Sequence, residues 1–201
     1  MFLQVFCARF SQAGETYSWN VTENTDANLV AAALRGDAES FSRLCEQYYP
    51  ALVAIAYSQL ADRHLAEDAA QEALLAAYRD IAKLKKPERL LGWLAAICRN
   101  IAIDMAKARA RQEHAGIEDC SPVLDTGHNE NDTVAAVREI ILQLEPAMRD
   151  IIFLRYYNQM SYGRIARMLG ISEEAVNGKL RRARKMIHRQ LHRRMSKETE
   201  P

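Results

Sequence analysis

Between Ser161 and Arg189 the chain reads S-Y-G-R-I-A-R-M-L-G-I-S-E-E-A-V-N-G-K-L-R-R-A-R-K-M-I-H-R, with hydroxyls, a glycine and many cationic groups at helical spacing. The chemistry this favours is the binding of a polyanion. Ser161 can cap a helix that turns Ile165, Ala166 and Leu169 inward. Gly170 can end it, because glycine accepts the left-handed backbone of a helix C-terminus, and Ile171 can plug the turn. Ser172 can cap a second helix, whose positive end suits Glu173 and Glu174. That helix has an apolar stripe at Val176, Leu180, Ala183, Ile187 and Leu191. Helix, glycine-centred turn and basic helix make a helix-turn-helix pattern, in which the first residues of the second helix enter the major groove. The base-reading candidates are therefore Glu174, Asn177, Gly178, Arg181 and Arg182. Lys179, Arg184 and Lys185 lie to the sides or later, where a phosphate backbone would pass.

Two other constellations stand upstream. Asp68, Gln71 and Glu72 fall at i, i+3 and i+4, on one helix face. Such a face can pair with a basic partner helix, or simply be solvated. Lys83, Lys85, Lys86 and Arg89 precede a helix bearing Trp93, Arg99, Asn100 and Lys107. The cations can track a phosphate backbone, and Asn100 offers both a donor and an acceptor to a base edge. Trp93 lies on the apolar stripe of its helix, which favours core packing over base stacking.

Catalytic and metal sites find little support. The five histidines (64, 114, 128, 188 and 192) form no H-E-x-x-H or comparable ligand set, and no glycine-rich phosphate loop follows a strand. The four cysteines (7, 45, 98 and 120) make no C-x-x-C pair. No enzyme activity, metal or cofactor is expected.

The elements that must carry these residues are helical throughout, with no alternation of strand type. The net charge of +1 conceals a segregation. From Lys83 to Arg111 eight basic residues oppose Glu88 and Asp104, a net of +6. From Gln112 to Asp150 nine acids oppose Arg138 and Arg149, a net of −7. From Ser161 to Met195 ten basic residues oppose two acids, a net of +8. Two basic modules split by an acidic stretch fit two polyanion-binding units.

The fold expected is all-α: two helical domains joined by a flexible acidic linker, the second domain a helix-turn-helix. Residues 1–25 lack periodicity and read as a disordered leader, or as an overlong start. The first domain spans 26–111, the linker 112–132, the second domain 133–195, and 196–201 form a tail. Within the first domain, Gly36 ends a short helix and Asp37 caps the next, with Pro50 kinking or restarting it. Further helices run from about Leu65 to Ile81 and from about Leu90 to Ala110. Pro146 suits the first turn of a helix running through Tyr157. No apolar run approaches the roughly 18 residues needed to span a bilayer. The apolar start lacks a signal peptide's basic region and cleavage site, so membrane insertion is not expected and the cytoplasm is the expected location.

These strings resemble the extracytoplasmic-function (ECF) family of RNA polymerase sigma factors. L-E-P-A-M-R-D-I-I-F-L-R-Y-Y, S-Y-G-R-I-A-R-M-L-G-I-S-E-E-A-V and L-R-R-A-R-K-M-I are similar to the domain that reads the −35 promoter element. A-E-D-A-A-Q-E-A-L-L-A-A-Y-R looks like the segment that docks on the polymerase β′ clamp. G-W-L-A-A-I-C-R-N-I-A-I-D looks like the segment that reads and melts the −10 element. The resemblance covers most of the chain from Asp26 to Arg194.

It implies a non-enzymatic transcription initiation factor. Asp68, Gln71 and Glu72 would bind core polymerase, which also offers its β flap. Lys85, Lys86, Arg89, Arg99, Asn100 and Lys107 would face the −10 element, with a base pocket at Asn100 and the preceding loop. The −35 element would fall to residues 174–185. Partners are then core polymerase, promoter DNA and, as often in the family, an anti-sigma factor. A conventional helix-turn-helix regulator is the alternative, but it would need neither the Asp68 face nor the basic segment around Asn100. Two departures stand out. Arg164 and Arg167 replace an acidic capping-box residue and a neutral one, and Asn177-Gly178 replaces a commoner basic residue plus serine. These put the −35 sequence in doubt, and not the docking mode.

Overall fold

The computed structural model describes residues 23–114 and 132–198, and all the regular secondary structure among them is helical. Helix α1 (Glu23–Leu34) ends in a turn where Gly36 takes a φ of +93°, a conformation open to glycine at little cost. Asp37 caps α2 (Ala38–Leu60) by accepting from the Glu39 amide at 3.2 Å and the Ser40 hydroxyl at 2.5 Å.

Pro50 does not restart this helix. The helix runs through it unbroken, although proline removes a backbone donor at a cost of about 3 kcal/mol in a helix interior. The offset comes from packing: Leu44, Tyr48, Ala51, Leu52, Ile55 and Ala56 on either side of Pro50 are all buried.

Helix α3 (Arg63–Asp80) is capped by Asp62, whose carboxylate accepts from the Leu65 amide at 3.1 Å. Its inner face is Ala66, Ala69, Ala70, Ala73 and Ala77, all fully buried. Methyl-sized side chains at i, i+3, i+4, i+7 and i+11 let neighbouring helices approach closely. Two single 3₁₀ turns, Ile81–Lys83 and Pro87–Arg89, carry the basic loop into α4 (Leu90–His114). Leu90, Leu94, Ala95, Cys98 and Ala102 of α4 complete the core with α2 and α3. The Cys98 thiol lies 3.3 Å from the Leu52 carbonyl.

The second group opens with α5 (Asp132–Leu142) and α6 (Pro146–Ile152), and α6 passes into a π turn over Phe153–Tyr157. The wider turn closes on an Asn158 N–H to Phe153 carbonyl bond of 3.2 Å. Helix α7 (Tyr162–Leu169) starts at the Ser161 hydroxyl, which accepts from the Arg164 amide at 3.3 Å. It ends at Gly170, left-handed at φ 67°. Ser172 then accepts from the Ala175 amide at 3.2 Å at the head of α8 (Glu173–Glu198). Val176, Leu180, Ala183, Ile187 and Leu191 are the buried stripe of α8, as the spacing predicts.

The boundaries between the two groups differ from the expected ones. Helix α4 runs on to His114, and α5 already includes Asp132. Within the expected linker, residues 112–114 and 132 are therefore helical, while 115–131 lie outside the described residues, as do 1–22 and 199–201.

The two groups also pack on each other. Tyr57 of α2 meets Phe153 edge-on, with ring centroids 5.2 Å apart. Helix α7 lies along α4 so closely that a Cβ on Gly92 would stand 3.4 Å from the Arg167 carbonyl. No described helix is long and apolar enough to cross a membrane.

Candidate nucleic-acid interface

Three surfaces collect the residues singled out by the sequence. The first is the outer face of α3. Because alanines take the buried side, Asp68, Gln71 and Glu72 are all exposed. The same face continues into Leu75 and Tyr78, large apolar side chains that are 65% and 54% exposed. The sequence carries a signal for both, since each stands at helical spacing from Gln71. The Tyr78 ring lies 5.1 Å from that of Phe41 on α2. Between α2 and α3 a groove of about 420 Å³ runs past Phe41, Cys45, Gln71, Leu74, Leu75 and Tyr78. An acidic rim beside exposed apolar groups is a surface suited to a protein partner.

The second surface is the basic loop and α4. Lys85, Lys86 and Arg89 are exposed on the loop, and Asn100 and Lys107 are exposed on the helix. Lys83 pairs with Asp80 at 2.6 Å and Lys107 lies 3.6 Å from Asp104, both at the surface. Trp93 is half-buried, packs on the core and also lines a groove of about 850 Å³ beside Lys85, Lys86 and Arg89. Core packing and an edge on this groove are thus combined in one side chain. The far wall of this groove is the turn Arg167–Gly170 of the second group.

Arg99 departs from the expectation of an open cationic track. Its Nε and Nη2 donate to Oδ2 of Asp150 at 3.2 and 2.9 Å. Asn100, one residue further round the helix, stays outside this pairing.

The third surface is α8. Asn177, Arg181, Arg182 and Lys185 are exposed, and a Cβ on Gly178 would meet nothing within 4 Å. Glu174 is exposed in the first turn. Backbone N–H donation, followed by the Ser172 hydroxyl, holds its carboxyl below the usual value. Two of the phosphate-contacting candidates are engaged elsewhere. Arg184 donates to the Tyr156 hydroxyl at 2.5 Å and lies over its ring, and Lys179, mostly covered, reaches Glu145 at 4.0 Å. Among the described residues, no three His, Cys, Asp or Glu side chains stand together as a metal site would need.

Residues 44–112 match the family model for sigma-70 region 2, and residues 135–187 match that for sigma-70 region 4. The chain is 29% identical over 169 residues to the ECF RNA polymerase sigma factor SigM of Mycobacterium tuberculosis, covering 84% of this chain and 86% of that protein. Among solved structures it is similar to CnrH in complex with the cytosolic domain of CnrY. The TM-score there is 0.59 at 26% identity, over 84% of this chain and 97% of the other. It shares its fold with the sigma factor RpoE of Bartonella quintana, solved in complex with the anti-sigma factor NepR. That match has a TM-score of 0.55 at 23% identity, over 77% of this chain and 98% of the other.

Proposed function

The chain belongs to the extracytoplasmic-function family of RNA polymerase sigma factors, which direct core polymerase to promoters, and from that premise we propose how its surfaces divide the work. The α3 face with Asp68, Gln71 and Glu72 docks on the β′ clamp. The basic loop and α4, with Lys85, Lys86, Arg89, Arg99, Asn100 and Lys107, hold the −10 strand and seat one unstacked base. Helix α8 reads the −35 element through Glu174, Asn177, Gly178, Arg181 and Arg182, while Lys179, Arg184 and Lys185 serve the phosphate backbone and the β flap lies behind. The protein acts in the cytoplasm, as a regulator and not as an enzyme. A protein partner that restrains it is part of this reading, supported by CnrH being found in complex with CnrY.

The observation that carries the proposal is Asn100. It is an exposed amide on the helix that follows a strongly basic loop, next in the chain to Arg99, which lines a groove with Trp93, Lys85, Lys86 and Arg89. An unstacked base needs a donor–acceptor edge within a cationic frame. Asn100→Ala should therefore impair strand opening by the holoenzyme more than duplex binding. Permanganate footprinting on a promoter selected by the wild-type holoenzyme reads the melted region directly. Normal reactivity with the variant refutes the assignment.

A further inference from the structure

Asp150 sits at the seam of the two helical groups, 3% exposed, and the groups that hold its carboxylate come from the other side. Oδ2 receives the Arg99 guanidinium through two N–H groups, at 3.2 and 2.9 Å. Oδ1 receives the fully buried Ser58 hydroxyl and, at 3.3 Å, the Gln59 amide, which also donates to the Ser58 oxygen at 2.7 Å. The neighbouring Arg149 points away, onto the Leu142 carbonyl at 2.9 Å. Ser58, Gln59 and Arg99 thus present hydroxyl, amide and guanidinium donors to one oxyanion, and the region 2 half supplies all three.

We propose that these three residues form an anion notch that takes a backbone phosphate of single-stranded promoter DNA, and that Asp150 occupies the notch when the two halves are packed together. A guanidinium fork with flanking hydroxyl and amide donors suits phosphate as well as carboxylate. Arg99 also lines the groove beside Lys85, Lys86, Arg89 and Trp93, so a strand lying there would bring a phosphate to it. Once the halves part, Arg99, Ser58 and Gln59 would lose the one carboxylate that gathers their donors, which disfavours opening until another anion replaces Asp150. The carboxylate therefore competes with DNA for the same donors. Strand capture and separation of the halves are linked: whatever favours one favours the other. This inference rests on the −10 role proposed for α4.

The test uses the full chain without polymerase. Small-angle scattering gives the radius of gyration, and a fluorescein-labelled single strand of mixed sequence gives affinity at several salt concentrations. Asp150→Asn should enlarge the chain and tighten strand binding by roughly tenfold, the scale of one charge-assisted hydrogen bond. The slope of log affinity against log salt should steepen by about one unit, as one more phosphate is engaged. Adding Arg99→Gln should return affinity and slope to the wild-type values while the chain stays enlarged.

An enlarged Asp150→Asn chain with wild-type affinity and slope overturns the phosphate site. A chain that neither enlarges nor binds better overturns the latch. Should Asp150→Asn fail to fold, Gln59→Glu tests the latch from the half-buried end of α2 by opposing a second carboxylate to Asp150. An unchanged radius of gyration there overturns it as well. Normal melting by an Asn100→Ala holoenzyme would remove the −10 assignment but leave these readings intact, because they involve neither promoter nor polymerase.

Discussion

Arg138 of α5 donates to the Tyr57 hydroxyl of α2 through both Nε and Nη2, at 2.8 and 2.6 Å, and both residues are buried. The bond joins the two helical groups at a second point, beside the Tyr57–Phe153 ring contact. Tyr57→Phe keeps the ring and its apolar packing but removes an acceptor from a buried guanidinium. The expected loss of stability is about 1–3 kcal/mol. A lower urea midpoint with an unchanged slope is the result to look for, since the surface exposed on unfolding should stay the same. An unaltered midpoint would show that the bond contributes nothing net.

The outer face of α3 yields a prediction in two parts. Asp68→Lys combined with Glu72→Lys should weaken binding to core polymerase and leave the melting temperature near wild type, because both side chains are exposed and outside the alanine-packed face. Leu75→Ala should likewise leave stability within about 0.5 kcal/mol, as a surface substitution. It should cost about 1–2 kcal/mol in core binding if the leucine is an anchor of the docked face. Titration of labelled core enzyme separates the two effects. Full affinity in both variants places the docking face elsewhere.

Much of this architecture is legible in the sequence because local chemistry and tertiary packing agree. Ser161, Gly170 and Ser172 occupy the cap and turn positions their side chains favour, and the stripe from Val176 to Leu191 is the buried one. The restart that Pro50 suggests is absent because its local cost is outweighed by apolar neighbours that only the assembled core supplies. The Asp150 notch is invisible for another reason: its donors lie 51, 91 and 92 positions away in the chain, and no periodicity connects them. Leu75 and Tyr78 were within reach, since they continue the spacing of Asp68 and Gln71. An apolar residue on a helix is assumed to face inward, and here alanines had already filled that face.

The thiols should separate by burial. Desolvation pushes the Cys98 thiol from an ordinary 9.0 up to about 12, and the half-buried Cys45 up to about 11. Both should resist alkylation in the folded chain near neutral pH, since the thiolate is the reactive form. The linkage has a definite sign. The unfolded chain loses the Cys98 proton near pH 9 and the folded chain only near 12, so the stabilising contribution is complete below 9 and declines as pH rises towards 12. Cys98→Ala should therefore flatten the fall of stability across that window, measured by urea unfolding at closely spaced pH values. An equally steep fall in the variant assigns the alkaline loss to other groups.

The last prediction concerns the order of contacts along α8. Val176, Leu180 and Ile187 are buried, so the opposite side faces outward, and Arg182 and Lys185 are both exposed there. Arg182 lies one turn nearer the helix N-terminus, where side chains reach deepest into the major groove, and Lys185 lies where the phosphate backbone rises past the helix. Arg182→Ala should cost about 1–3 kcal/mol and relax preference at one base pair. Lys185→Ala should weaken all −35 sequences alike and lower the salt slope by about one unit. Lys179 and Arg184 serve as internal comparisons. Each already has a protein partner, Glu145 at 4.0 Å and Tyr156 at 2.5 Å, so replacing either should move the salt slope less than Lys185→Ala does. Selection of −35 sequences from a randomised pool by holoenzyme at two salt concentrations measures both the consensus and the slope. A consensus unchanged by Arg182→Ala but shifted by Lys185→Ala would mean that α8 enters the groove rotated about its axis from the orientation proposed.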